Sequence, residues 1–361
     1  MKKLLNFIVS ILIFGCTIVA QETPKIITID VSRNNKLNIA QIAEKVTLIP
    51  LHFPDIDEPA VSKVLITPDY LYVRVSDRAI PDSPRRNYQI KWDGTIIKEI
   101  GMKDTQTGEF INSVNLFYSE SDHELVTIYN EFLAIFDGNG KSIRRIDGHF
   151  AKIFYQFYNK KIWNMETKID RKNNWYTFQL TTTNLMTFEV DSTIYYYKHF
   201  ISEGERMFLG TNFSIANNTL YFTNDYENEI IGINNNDKIE QTFRFNYENV
   251  KKSLTTTFIR PQRIMFNKYI YYGYNNGPDA VYLFLYNKVN GENYNIRIRW
   301  NANHNLISGI KDDVFETGYL DLKETNSGDY AYDVKQGYEV SEIIDGIKDE
   351  SDPVLFLIKL K

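Results

Sequence analysis

Glu131–Gly148 reads EFLAIFDGNGKSIRRIDG, two alternating apolar runs set around a four-residue turn. Phe132–Phe136 and Ser142–Ile146 flank Asp137-Gly138-Asn139-Gly140, and glycine and asparagine tolerate the positive φ that a tight hairpin needs. The stretch predicts two antiparallel strands back to back. Similar pairs recur around Asp93-Gly94, Asp191-Ser192-Thr193, Asn234–Asp237 and Val289-Asn290-Gly291. Successive turns fall about 45 to 54 residues apart, the length of a four-stranded propeller blade with its loops. Five such turns and a closing segment predict an all-β protein, a six-bladed β-propeller of four-stranded antiparallel blades. The four-strand grouping favours this over a β-sandwich, which would show evenly spaced short strands.

Working outward, Val46–Leu51 is an apolar strand with proline near its end, which suits an edge or terminal strand. Paired with the apolar run of Pro353–Lys361, it would close the ring and leave no open edge. The expected division is a leader over 1–20, a lead-in over 21–45 with one strand at Ile26–Val31, and the propeller over 46–361. The aromatic fraction, 14%, is high, and aromatic side chains suit pleated, half-buried surfaces.

The leader has a short basic region at Lys2 and Lys3, then a mostly apolar run over Leu4–Phe14 that is too short to span a bilayer. Two processing sites fit. Ile13-Phe14-Gly15-Cys16 resembles a lipobox, in which Cys16 would be lipidated and hold the protein peripherally on a membrane. Cleavage after Ala20 would instead release a chain beginning at Gln21. Either predicts export, to the periplasm, outer membrane or extracellular space. The formal charge is −5, and loss of Lys2 and Lys3 makes it about −7, the wrong sign for binding nucleic acid. Cys16 is the sole cysteine, which excludes an intrachain disulfide.

Three segments carry a family resemblance. They are Val46-Thr47-Leu48-Ile49-Pro50-Leu51, the stretch from Gly101 to Gly108-Glu109-Phe110, and Asp352-Pro353-Val354-Leu355 leading into Phe356–Lys361. In this order and at this spacing the chain resembles the six-bladed β-propeller proteins exported by Bacteroidota, many of them lipoproteins and similar to NHL-type binding modules. His52 stands after Leu51 where that family commonly has an acidic residue. The resemblance implies a fold and a compartment. It implies no defined activity and no catalytic residues.

The residues themselves point to binding rather than catalysis. There is no Gly-x-Ser-x-Gly elbow, and the single cysteine lies in the leader, so nucleophilic catalysis has no motif. His52, His123, His149, His199 and His304 share no short ligand spacing, so no metal site is predicted. Asp137–Gly140 lacks the further acidic ligands of a calcium loop and is explained as a turn. Asp321, Glu324, Asp329 and Asp333 form an acidic region that reads as a solvated loop, or alternatively as a channel mouth holding a cation.

Trp163 and Trp175 flank a polar loop and are the candidates for stacking on a sugar ring; Trp92 and Trp300 end alternating strands and are assigned to the core. Arg85 and Arg86 supply loop cations for an anionic sugar or partner. Asp191-Ser192-Thr193 resembles a short O-glycosylation sequon, with Ser192 as acceptor at an outer turn.

The expected function is therefore an exported, non-enzymatic binding module for a glycan, a peptide or an envelope protein, without a cofactor. One alternative is a sugar-lactone hydrolase or lyase using a channel Ca or Mg ion. Another is a structural partner in an outer-membrane assembly.

Overall fold

The computed structural model describes residues 23–119, 122–148, 155–170, 172–183, 189–200, 213–224, 228–249, 263–275, 281–302, 306–344, 347 and 349–361. These form an all-β propeller of small sheets. In chain order, the first sheet is Pro59–Ile66, Leu71–Asp77, Arg86–Ile90 and Ile96–Ile100. The second is Asn115–Ser119, Glu124–Ile128, Phe132–Phe136 and Ser142–Asp147. The third is Tyr155–Tyr158, Lys161–Asp170, Trp175–Thr183 and Val190–Phe200. The fourth is Phe213–Ala216, Thr219–Asn224, Glu229–Ile233 and Ile239–Glu248, with Lys25–Asp30 added in parallel along its outer strand. The fifth is Arg263–Met265, Tyr269–Asn275, Val281–Asn287 and Asn293–Trp300, extended by Leu306–Ser308.

The closing sheet joins the two ends of the chain. Lys323–Glu324, Tyr330–Gln336 and Pro353–Leu360 come from the C-terminal end, and Ala43–Pro50 pairs antiparallel with the last of them, Leu48 opposite Phe356. The expected closure is thus present, and its N-terminal strand begins at Ala43 rather than Val46. A further, three-stranded sheet combines Leu37–Asn38 with Ile310–Asp312 and Gly318–Leu320.

The described residues therefore make seven sheets, where six were expected. The additional sheet is the three-stranded one, built from strands of two and three residues that carry too little alternation to read. The lead-in is also not separate from the propeller, because two of its segments are strands within these sheets.

Turn chemistry accounts for the hairpins. In the second sheet Asp137 accepts the backbone N–H groups of Asn139 (3.0 Å) and Lys141 (2.8 Å), and Gly140 takes a φ of +73°. Asn234 does the same for Asn236 and Lys238 in the fourth sheet. Asp191–Thr193 departs from expectation: it lies inside Val190–Phe200, with Ser192 opposite Thr182, so it is not an outer turn.

Apolar clusters fill the spaces between neighbouring sheets. Ile49, Val73 and Leu355 join the closing sheet to the first, and Leu65 and Leu125 join the first to the second. Val126 and Ile162 join the second to the third, Phe178 and Phe222 the third to the fourth, and Phe243 and Phe284 the fourth to the fifth. The last cluster links the fifth sheet to the closing one, and the three-stranded sheet contributes Leu37, Ile310 and Leu320 to it. Strands inside a sheet are consequently covered on both faces, as Phe132–Phe136 is, with every residue buried. No helix among the described residues is long and apolar enough to cross a membrane.

Candidate functional site

Each of six sheets sends its innermost strand to a central cavity of about 370 Å³. Leu65, Phe117, Gln156, Ser214, Ile264 and Glu324 line it, one from each of these strands. The three-stranded sheet contributes none.

An innermost strand has one edge without a partner strand, and polar side chains satisfy those edges by bridging to the next sheet. The Asn326 amide accepts the N–H of Ile66 (2.6 Å) and donates to its carbonyl (2.9 Å), tying the closing sheet to the first. Lys63 Nζ donates to Asn115 Oδ1 (3.0 Å), tying the first to the second. Ser214 Oγ accepts the N–H of Met265 (3.1 Å), tying the fourth to the fifth. Much of the polarity around the channel is thereby spent on structure.

The charged groups divide differently. Arg263 is buried and donates to the Tyr272 hydroxyl (3.0 Å). Asp321 accepts from the Tyr271 hydroxyl (3.1 Å), and its carboxyl is raised mainly by burial, against the pull of Lys323. Asp333 lies just behind, accepting the N–H groups of Asp321 (3.1 Å) and Val334 (2.8 Å); burial still pushes it up to about 6.

Glu324 has no such support. Its Oε2 is buried without a hydrogen-bond partner among the described residues, and burial raises the carboxyl to about 7, with Lys63 opposing. Burial lowers Lys63 to about 8, with Glu324 opposing, and its ammonium sits 4.3 Å from the centre of the Phe117 ring. Both side chains keep some accessible surface, but both line the internal cavity, so their charges are largely desolvated. No ion pair within 4 Å joins Lys63 to Glu324 among the described residues, and Lys323 likewise has none.

The residues singled out from sequence lie elsewhere. Trp163 is 0% exposed, packed among Phe178, Phe222 and Ile231, and donates Nε1–H to the Tyr158 carbonyl (3.1 Å). This corrects its assignment as a stacking residue, because a strand covered on both faces leaves no ring face for a sugar. Trp175 is half-buried, edge-on to Phe200, with Lys198 Nζ 4.2 Å from its ring centre. Arg85 is exposed on a loop of the first sheet, and Arg86 beside it is engaged by Glu99 (Nε to Oε2, 3.0 Å). None of these four lines the cavity, and the two tryptophans sit two sheets away from the two arginines.

Ser192 is half-buried with its Oγ 2.7 Å from Thr182 Oγ1, not free at a turn tip. Cys16, Ala20 and Gln21 lie outside the described residues. Trp92 and Trp300, assigned to the core, are instead 36% and 48% exposed. Trp92 stands beyond the end of its strand at Ile90, in the turn, and donates to the Pro68 carbonyl.

Of the acidic region, Asp321 and Glu324 face the cavity, Asp333 is buried behind it, and Asp329 is exposed and held by Asn267 (2.7 Å). No three His, Cys, Asp or Glu among the described residues are grouped to hold a metal ion. His52 pairs with Asp352 (2.8 Å) across the closure, and His123 with the Tyr118 hydroxyl (3.0 Å). His149 and His304 lie outside the described residues.

Sequence reasoning missed Lys63 and Lys323, since channel residues come from separate sheets and share no spacing. The available signal was a lysine inside the mostly apolar run Val61–Ile66, where a strand covered on both faces has no solvent for one.

No protein-family model matches the chain, and no curated protein matches it. Solved structures do. A Bacteroides fragilis protein described as exported has a TM-score of 0.65 at 15% identity, over 93% of this chain and 100% of its own. A member of the DUF4221 family from Bacteroides vulgatus has a TM-score of 0.41 at 12% identity, over 88% and 97%. The WD40 domain of Neurospora crassa Pan2 has a TM-score of 0.39 at 8% identity, over 90% and 98%. At these identities the first likeness establishes the propeller fold.

Proposed function

We propose that this chain is an exported β-propeller binding protein that holds a small polar ligand in its central channel. In this reading six radial blades surround the channel, and the three-stranded sheet docks at the junction of the fifth and closing sheets. The observation that carries it is the set of cavity charges, Lys63, Lys323 and Glu324, that have no ion-pair partner among the described residues. A buried carboxylate without a hydrogen bond costs free energy, and a core chosen for stability alone would place apolar side chains there. Glu324, Lys63 and Lys323 are retained at the meeting point of several sheets, where a ligand touches them all. The cavity of about 370 Å³ falls in the range of small-ligand sites, roughly 300–1,000 Å³. Export rests on the leader pattern and is supported by the fold shared with an exported Bacteroides protein.

A thermal-shift screen of the mature protein against oligosaccharides, small organic acids and divalent cations tests this reading. A ligand at about 100 times its dissociation constant stabilises by roughly 2.7 kcal/mol, a readable shift. The expected result is a shift that disappears in Lys63→Met. A shift untouched by that substitution places the ligand outside the channel and sinks the reading. One that appears only with Ca or Mg and is reversed by chelator favours a cation-dependent hydrolase or lyase instead.

A further inference from the structure

We infer that the channel receives a small organic anion of the carboxylate class, seated against Lys63 and Lys323 and hydrogen-bonded by Glu324. The inference rests on the channel-binding reading above and names its ligand chemistry.

The first ground is charge. The chain as a whole is acidic, at −5, yet the cavity's ionisable side chains include three cations, Lys63, Arg263 and Lys323, against Asp321 and Glu324. The second is commitment. Arg263 is engaged by Tyr272, and Asp321 by Tyr271. Lys63 spends one of its three donors on Asn115, and neither Lys323 nor Glu324 makes a hydrogen bond or ion pair among the described residues. The groups left to meet a ligand are two ammonium ions and one carboxyl. A neutral ligand would leave the two ammonium ions with only Glu324 and Asp321 in the cavity as counter-charges, both carboxyls raised by burial, whereas a monoanion takes a hydrogen bond from each ammonium. In its acid form Glu324 donates to the same anion, which gives its carboxyl the partner it lacks. Leu65, Phe117 and Ile264 offer the organic part of the ligand an apolar wall.

Proton uptake follows from this arrangement. Glu324 is faced by Lys63, with Arg74 behind it, and by the Tyr332 hydroxyl; Lys323 and Asp321 line the same cavity, and Asp333 is buried behind it. Burial holds it at about 7 and Lys63 at about 8. An anion binds best with both protonated, so affinity falls as pH rises, first through Glu324 and then through Lys63. Between about pH 6 and pH 8 the Glu324 step alone weakens binding roughly tenfold.

Isothermal titration of the full mature chain with glucuronate, galacturonate, N-acetylneuraminate, lactate and succinate, and with glucose as the neutral control, tests the inference. Two buffers of different ionisation enthalpy count the protons taken up. The expected result is binding of at least one carboxylate in preference to glucose, with proton uptake near neutral pH. Glu324→Gln should bind without the Glu324 share of that uptake, and its remaining fall in affinity belongs to Lys63, whose ammonium loses the neighbouring charge that opposes its burial. Lys323→Met, whose side chain bridges no sheets, should melt as the parent does and bind roughly tenfold more weakly or worse. Binding of no carboxylate in the panel overturns the inference. Glucose bound as well as glucuronate, and lost in Lys63→Met, overturns the anion while leaving the channel reading intact. Carboxylate binding that survives both lysine substitutions overturns the two together.

Discussion

Burial holds the Glu324 carboxyl at about 7, and no hydrogen bond from the described residues offsets it. The effect on stability has a definite sign. Below about 4.5 the group is neutral in both folded and unfolded chains. Between about 4.5 and about 7 only the unfolded chain loses the proton, so stability falls as pH rises; above about 7 the loss is complete and constant. Glu324→Gln removes this cost without removing a hydrogen bond. It should match the parent near pH 4 and exceed it at pH 8 in denaturant titrations, and a constant gap across that range would contradict the assignment. Trp163 belongs to the same scale. Trp163→Ala opens a cavity in the core between the third and fourth sheets and should cost about 3–5 kcal/mol in urea unfolding. Trp175→Ala, at a half-buried position, should cost clearly less, and equal losses would be incompatible with these placements. The sequence pattern did not separate these two tryptophans, because both flank the same polar loop and alternation alone does not say whether a neighbouring sheet covers the face.

At the scale of elements, hairpin turns meet the strands of the next sheet, so some turn residues answer to two constraints. Gly94 has a φ of +89°, and a Cβ there would come within 2.3 Å of the Pro50 carbonyl oxygen in the closing sheet. Gly108 has a φ of +72° with nothing within 4 Å. Gly108→Ala should lose only the conformational term, about 1–2 kcal/mol, while Gly94→Ala should lose that and more, because the closing strand must shift. Equal denaturation midpoints for the two variants would refute the packing of turn on strand. The hairpins themselves were legible, since Asp137, Asn234 and Gly94 act on their own neighbours in the chain. The Asp191–Thr193 stretch is not a turn because its residues continue a long strand, with register shifts opposite Leu180/Thr181 and Thr182/Thr183 absorbing the extra residues Ile194 and Asp191.

For the whole molecule, export and ring closure make separate demands. Export processing should leave Gln21 as the first residue, which mass spectrometry of the secreted protein reads directly. In that case Cys16→Ser leaves its fractionation unchanged, whereas loss of membrane retention in the variant would establish the lipid anchor. The ring depends on neither outcome, because its first described strand begins at Lys25.

The hairpin period, the all-β class and the pairing of the two chain ends are legible in the residues alone. Each rests on local turn chemistry or on short apolar runs that have only one partner to satisfy. The tertiary structure alone decided the seventh sheet, the inward turn of Trp163 and the meeting of Lys63 with Glu324. Those two charged residues come from opposite ends of the chain, and closing the ring brings them to one cavity. Which side chains meet at that cavity is a property of the packing between sheets, which no spacing within the chain encodes.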